Sequence, residues 1–173
     1  MARADLQYDS VGILEADSVK KFSGMRQHGI LLRYGVSSRF TGRWVPDSLD
    51  LTAGRMERGR DSAPYLSFGP TYRFEIKEDK PGRWFVDFGV HPMYVSRSDF
   101  GGKDFGGKVF FTSFLGVGAY LDRQWKTSFL LRYQHTSNAG ISDANPGVDM
   151  LALSLSYRFG RDHRNLHHSP AGW

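Results

Sequence analysis

The sequence predicts an all-β chain closed into an eight-stranded antiparallel transmembrane β-barrel. Three observations carry that expectation. Eight segments alternate apolar and polar side chains with a period of two, and none of useful length shows helical periodicity. Aromatic residues make up 14% of the 173 residues and are accompanied by 20 glycines, as interfacial girdles and tight turns require. An even number of strands must also pair or cover its edges, and closure removes them altogether. Composition by itself leaves a membrane barrel and a soluble β-sandwich open, because alternation keeps mean hydropathy low in both, here −0.44.

The segments run over 8–17, 25–38, 48–58, 64–76, 83–96, 108–121, 126–137 and 149–159. Ile30, Leu32, Tyr34 and Val36 alternate with Leu31, Arg33, Gly35 and Ser37. Leu66, Phe68, Tyr72 and Phe74 oppose Ser67, Gly69, Thr71 and Arg73, and Trp84, Val86, Phe88, Val90 and Tyr94 oppose Phe85, Asp87, Gly89 and His91. The stretch 108–121 is less clean, with Phe110, Phe114 and Tyr120 against Phe111, Leu115, Val117 and Leu121. The stretch 48–58 is the weakest, since Leu49, Leu51 and Ala53 run into Arg55 and Glu57.

The polar rows carry Arg33, Arg73, Glu75, Asp87, Arg132 and Arg158. Eight strands enclose an interior just wide enough to be filled by side chains, so these charges are expected to form a packed network rather than a channel. The connections Lys77–Gly82 and Asp122–Gln124 are short, whereas Arg97–Lys108 and Asn138–Val148 are long. Outer-membrane barrels keep short turns on the periplasmic side, which places the two long connections outside. The connection Arg39–Asp47 is long for a periplasmic turn. Residues 1–159 form one barrel domain in this scheme, and the polar tail 160–173, with Pro170, is a disordered or periplasmic extension. No export signal is visible, so the chain is expected to begin after processing, with Met1 added.

Net charge is +5 and spread along the chain, without the basic clusters interleaved with aromatics that would point to nucleic acid. With no cysteine there is neither a disulfide framework nor a thiolate metal site. The tail histidines His163, His167 and His168 suit adventitious metal binding only, and no cofactor is expected.

The stretch that carries chemistry is His135-Thr136-Ser137-Asn138-Ala139-Gly140, closing the seventh segment, with Asp149 opening the eighth. His135 and Ser137 share the face of Phe129, Leu131 and Tyr133, while Asp149 shares that of Leu151, Leu153 and Leu155. A serine hydroxyl needs a base within reach and a third group to orient that base. Two residues apart on a strand, His135 and Ser137 have Cα atoms about 6.5–7 Å apart, a gap their side chains can close. Asn138 and the N–H groups around Ala139-Gly140 are placed to receive an oxyanion. The competing account is a rim histidine and serine satisfied by loop backbone, with Asn138, Gly140, Asn145, Pro146 and Gly147 as turn formers. Spacing alone leaves both open.

The run His135-x-Ser137-Asn138-Ala139-Gly140, an acid fourteen residues after the histidine, and a last strand ending Leu155-Ser156-Tyr157-Arg158-Phe159 together resemble the PagL-type lipid A 3-O-deacylases. The match covers about residues 129–159. The resemblance implies an outer-membrane serine esterase with its triad on the barrel's outer wall. Ser137 would be the nucleophile, His135 the general base and Asp149 the orienting acid, with Asn138 and Gly140 assisting the oxyanion. The family pattern has glutamate where Asp149 stands, which shortens the arm holding His135. The implied substrate is lipid A of lipopolysaccharide, cleaved at the ester-linked 3-hydroxyacyl chain of position 3 without metal or cofactor. Leu131, Tyr133, Leu151 and Leu153 would line an acyl groove, and Arg97, Lys103 and Lys108 would meet lipid A phosphates. The expected partners are lipopolysaccharide and outer-membrane lipid, and a homodimer is compatible with the chain. Two alternatives stand beside this one: a catalytically silent surface barrel, and a soluble lipocalin-like barrel with its greasy rows turned inward.

Overall fold

Period-two alternation needs a partner on each side of every strand before it can bury one row and expose the other, and the chain satisfies that need by closing on itself. The structure, a computed structural model, describes residues 7–19, 24–36, 45–76 and 84–159. Its strands are β1 (Gln7–Ser18), β2 (Met25–Gly35), β3 (Ser48–Arg58), β4 (Asp61–Glu75), β5 (Trp84–Val95), the short β6 (Asp99–Phe100) and β7 (Lys103–Asp104), β8 (Val109–Tyr120), β9 (Thr127–Ser137) and β10 (Val148–Arg158). Eight of them close an antiparallel barrel in the order β1-β10-β9-β8-β5-β4-β3-β2, while β6 and β7 form a separate hairpin. The seam between β1 and β10 runs from Ser10 opposite Arg158 to Ser18 opposite Met150.

The observed strands follow the sequence periodicity closely. The largest departures are the end of β2 at Gly35 rather than 38 and the start of β4 at Asp61 rather than 64. Even the weakly patterned 48–58 pairs over its whole length with β2 and β4. The 36–47 and 76–83 connections fall largely outside the described residues, and the 160–173 tail wholly so.

Which row faces outward decides the solvent. Ile30, Leu66, Phe68, Phe74, Val90, Leu115, Val117, Leu131, Leu151, Leu153 and Leu155 are exposed, whereas Arg33, Asp50, Asp87, Arg132 and Gln134 are buried. Apolar outside and polar inside is the arrangement of a barrel set in hydrocarbon. The lipocalin-like alternative required the opposite and is overturned. The chain is an eight-stranded transmembrane barrel.

The sequence predicts an interior ionic network of Arg33, Arg73, Glu75, Asp87, Arg132 and Arg158; the structure adds to it a central acid, Asp50, that the sequence pattern does not single out. Arg33 holds Asp50 through Nε and Nη2 at 2.8 and 2.7 Å and reaches Asp87 Oδ2 through Nη1 at 3.2 Å. Arg73 grips Asp87 through Nε and Nη2, both at 2.7 Å, and its guanidinium stacks 3.7 Å above the Phe85 ring. Arg132 donates to Gln134 and lies over the Phe114 ring. The Glu75 side chain lies outside the described residues.

Toward the opposite end the interior becomes apolar. Phe100 and Phe105, brought in by the β6–β7 hairpin, pack with Met25, Met56, Met93, Val95, Phe110 and Val148. The cavity left among them is about 10 Å³, too small and too apolar to keep an ordered water.

The β8–β9 turn is built on one carboxylate. Asp122 accepts hydrogen bonds from the N–H groups of Gln124, Lys126 and Thr127. The N–H of Thr127, followed by that of Lys126, holds this exposed carboxyl below the usual range, at about 2. A depressed carboxyl stabilises the fold fully above its unfolded value, near 3.8, and loses that contribution as pH falls toward 2. In detergent-solubilised protein, Asp122→Asn should therefore unfold at lower denaturant than wild type at pH 6, with the gap closing by pH 2. A gap that stays constant over that range would show that the charge of Asp122 does not stabilise the turn.

Candidate functional site

Strand parity turns His135 and Ser137 to the outside, because Gln134 and Thr136 between and beside them are buried in the lumen. Register then supplies the acid: Asp149 of β10 stands directly opposite His135 of β9, and Leu151 opposite Tyr133. His135 Nδ1 lies 2.9 Å from Asp149 Oδ1, with the two side chains 46% and 29% exposed. A carboxylate can only accept, so Nδ1 carries the hydrogen and Nε2 is left as the basic nitrogen. The aspartate reaches the ring without the glutamate's extra methylene because the two residues are direct cross-strand partners. The Tyr133 hydroxyl, two residues back on the same outer row, interacts with the Asp149 carboxylate. In the sequence Tyr133 reads only as an acyl-groove residue.

Ser137 follows His135 on that row and is half-buried. Of the three residues expected to act together, the structure pairs His135 with Asp149 and leaves the Ser137 hydroxyl without a hydrogen bond to His135. A second outward hydroxyl, Ser113 of β8, is the Cα partner of His135 on the side away from Asp149. Nothing in the sequence reveals it, since the β8–β9 register cannot be read from either strand alone.

The oxyanion assignment to Asn138 and Gly140 requires correction. Parity that sends Ser137 outward sends Asn138 inward, where it is 1% exposed. Its Nδ2 hydrogens are shared among Ala144 O at 2.7 Å, Ser142 Oγ at 2.9 Å and Phe105 O at 3.2 Å. Its Oδ1 accepts the Gly140 N–H at 2.9 Å, and its own N–H goes to Asn145 Oδ1 at 3.1 Å. Both predicted donors are thus committed to folding the loop. Asn138 clamps residues 138–145 to one another and to the segment after the β6–β7 hairpin, an attachment reinforced by Ser142 Oγ donating to Gly106 O. Ala139, between them, has φ 54°, a left-handed conformation uncommon for a residue with a Cβ.

Below the pair, the outer wall is continuous and greasy. Leu131 pairs with Leu153 and Tyr133 with Leu151 across β9–β10, while Val117 and Leu115 extend the same rows on β8. Arg97, expected to meet phosphate, is instead held by Asp61 and Asp99, each at 2.8 Å. Lys103 and Lys108 stand exposed on the same connection.

Comparison with known proteins matches this architecture. Residues 28–158, which include every site residue named above, match the family described as Lipid A 3-O-deacylase (PagL). Over 77 residues the chain is 34% identical to the lipid A deacylase PagL of Bordetella bronchiseptica, a stretch amounting to 44% of this chain and 42% of that protein. The match therefore spans less than half the length of that relative. Among solved structures, the outer membrane enzyme PagL is similar with a TM-score of 0.59 at 22% identity, covering 87% of this chain and 99% of that one. Neisserial surface protein A (NspA) is similar with a TM-score of 0.55 at 12% identity, covering 91% and 100%. These structural likenesses show a shared outer-membrane barrel fold, and the family match extends over both strands of the site and most of the sequence. The chain belongs to the lipid A 3-O-deacylase (PagL) family.

Proposed function

We propose that the protein is an outer-membrane lipid A 3-O-deacylase, a serine esterase that removes the ester-linked 3-hydroxyacyl chain at position 3 of lipid A. The observation that carries this reading is the His135–Asp149 pair on the lipid-facing wall, with Ser137 on the same row and leucines continuing below. Charged and hydroxylated side chains are costly against hydrocarbon. A functional site at the level where ester linkages meet water accounts for them. The long β5–β8 and β9–β10 connections flank the site, which supports a position at the extracellular rim.

In this mechanism Ser137 Oγ attacks the ester carbonyl as its proton passes to His135 Nε2. Collapse of the tetrahedral intermediate breaks the bond to the sugar oxygen, which takes the proton from His135 and leaves as the 3-hydroxyl. Water then attacks the acyl-Ser137 ester, again with His135 as base, releasing the 3-hydroxy fatty acid and restoring the serine. Asp149 holds the tautomer and stabilises the imidazolium that forms twice in the cycle. With the N–H groups of Asn138, Gly140 and Ile141 engaged within the loop, the Ala139 N–H is the remaining amide of the turn for the developing oxyanion. The Ser137–His135 hydrogen bond belongs to the substrate complex, as such contacts are often long in free enzymes.

Mass spectrometry of lipid A from cells expressing wild type and Ser137→Ala tests the proposal. Wild type should release the 3-linked hydroxyacyl chain, and the variant should leave lipid A intact while still folding into a heat-modifiable barrel. Identical lipid A from both strains would leave the silent surface barrel as the better reading.

A further inference from the structure

Two glycines of the loop-side connections, Gly147 and Gly59, adopt nearly the same left-handed backbone, φ 62° and 61°. Their surroundings differ. A Cβ built on Gly59 would meet nothing within 4 Å, whereas one on Gly147 would lie 2.9 Å from His135 Cε1 and 3.5 Å from Nε2. The edge of the imidazole that must take the proton from Ser137 thus rests on the bare Cα of Gly147, just ahead of the first residue of β10. The atoms met are the far end of a side chain, so an added methyl would move the ring rather than the barrel wall. Ring and carboxylate are partners at 2.9 Å across β9–β10, and a ring pushed off Gly147 leaves that alignment.

We propose that Gly147 is a positioning residue of the triad, its missing side chain forming the seat that fixes the His135 imidazole between Asp149 and Ser137. The proposal rests on the esterase reading for its consequence, but the seat itself is a matter of geometry. The titratable and charged groups facing the ring are Asp149 on β10 and, through it, Tyr133 on β9, while β8 presents the Ser113 hydroxyl.

The test compares Gly147→Ala, Gly147→Asn and Gly59→Ala in detergent micelles containing lipopolysaccharide, with foldedness confirmed by heat-modifiable migration. Asparagine tolerates the left-handed backbone better than alanine yet still carries a Cβ. Both Gly147 variants should lose about 100-fold in kcat, the scale of an ångström-sized misplacement of a reacting group, with KM within about twofold. Gly59→Ala should match wild type. Recovery of wild-type kcat in Gly147→Asn would show that backbone strain alone was at work and would overturn the proposal, as would full activity in Gly147→Ala. A second readout is independent of turnover: the His135 imidazole resonance, assigned by its loss in His135→Gln, should shift in both Gly147 variants and not in Gly59→Ala. An unshifted resonance in Gly147→Ala refutes the seat. A wild type no more active than Ser137→Ala refutes the esterase reading instead, and the resonance still decides the seat.

Discussion

Replacing His135 with alanine is expected to cut deacylation by about 10⁶-fold, and Asp149→Asn by about 10⁴-fold, in line with the hierarchy of serine-esterase triads. The two numbers differ for a structural reason. In the proposed mechanism His135 alone moves the proton, in both halves of the cycle, so without it Ser137 remains a neutral hydroxyl. Asp149 does not touch the substrate. It fixes the tautomer through the 2.9 Å contact to Nδ1, and an asparagine there can present an N–H and turn the imidazole's basic nitrogen away from Ser137. The losses should appear in kcat, because the leucine rows that would hold the acyl chain are untouched. Combining Asp149→Asn with His135→Ala should cost no more than His135→Ala alone, since the acid acts only through the ring. Additive losses in the double variant, measured as fatty-acid release from lipopolysaccharide micelles, would show that Asp149 has a role apart from the histidine.

The largest effect on stability is expected at Asp87. Its carboxylate accepts three hydrogen bonds from two arginines and is fully buried. In Asp87→Ala, the Arg73 guanidinium keeps its contacts to Tyr120 and Phe85, and Asp50, with Asp47 beside Arg73, is left to balance Arg33, Arg73 and Arg132. Removing one partner from a buried ionic cluster costs on the order of 3–5 kcal/mol because the surviving charges stay desolvated. Denaturant unfolding of detergent-solubilised protein should show that loss directly. Asp87→Asn should fall between, since its amide oxygen can still accept from one guanidinium. A wild-type midpoint for Asp87→Ala would mean that water reaches this part of the lumen and replaces the carboxylate.

Strand positions were legible because alternation is a local property: the row from Trp84 to Tyr94 declares its two faces without knowledge of its neighbours. Asp50 was obscured because β3 mixes Leu49, Leu51 and Ala53 with Arg55 and Glu57, and only the pairing with β2 shows that Asp50 meets Arg33. The core of the site, His135 with Asp149, was readable from spacing and parity together. The inward turn of Asn138 follows from that same parity, since a residue adjacent to an outward Ser137 must point the other way. Ser113 and Tyr133 depend on register between strands, and the contact of Gly147 with His135 depends on the path of a ten-residue loop. Neither is encoded in any one segment.

The filled mouth of the barrel has a consequence for where the protein can act. Phe100, Phe105 and the surrounding methionines close the bore at one end, and the arginine–aspartate cluster occupies the other. Among the described residues the interior is therefore plugged rather than open, which leaves the barrel's outer wall as the surface free to act. In the proposed function, the chemistry is done on the barrel's flank, with substrate arriving sideways through the leaflet.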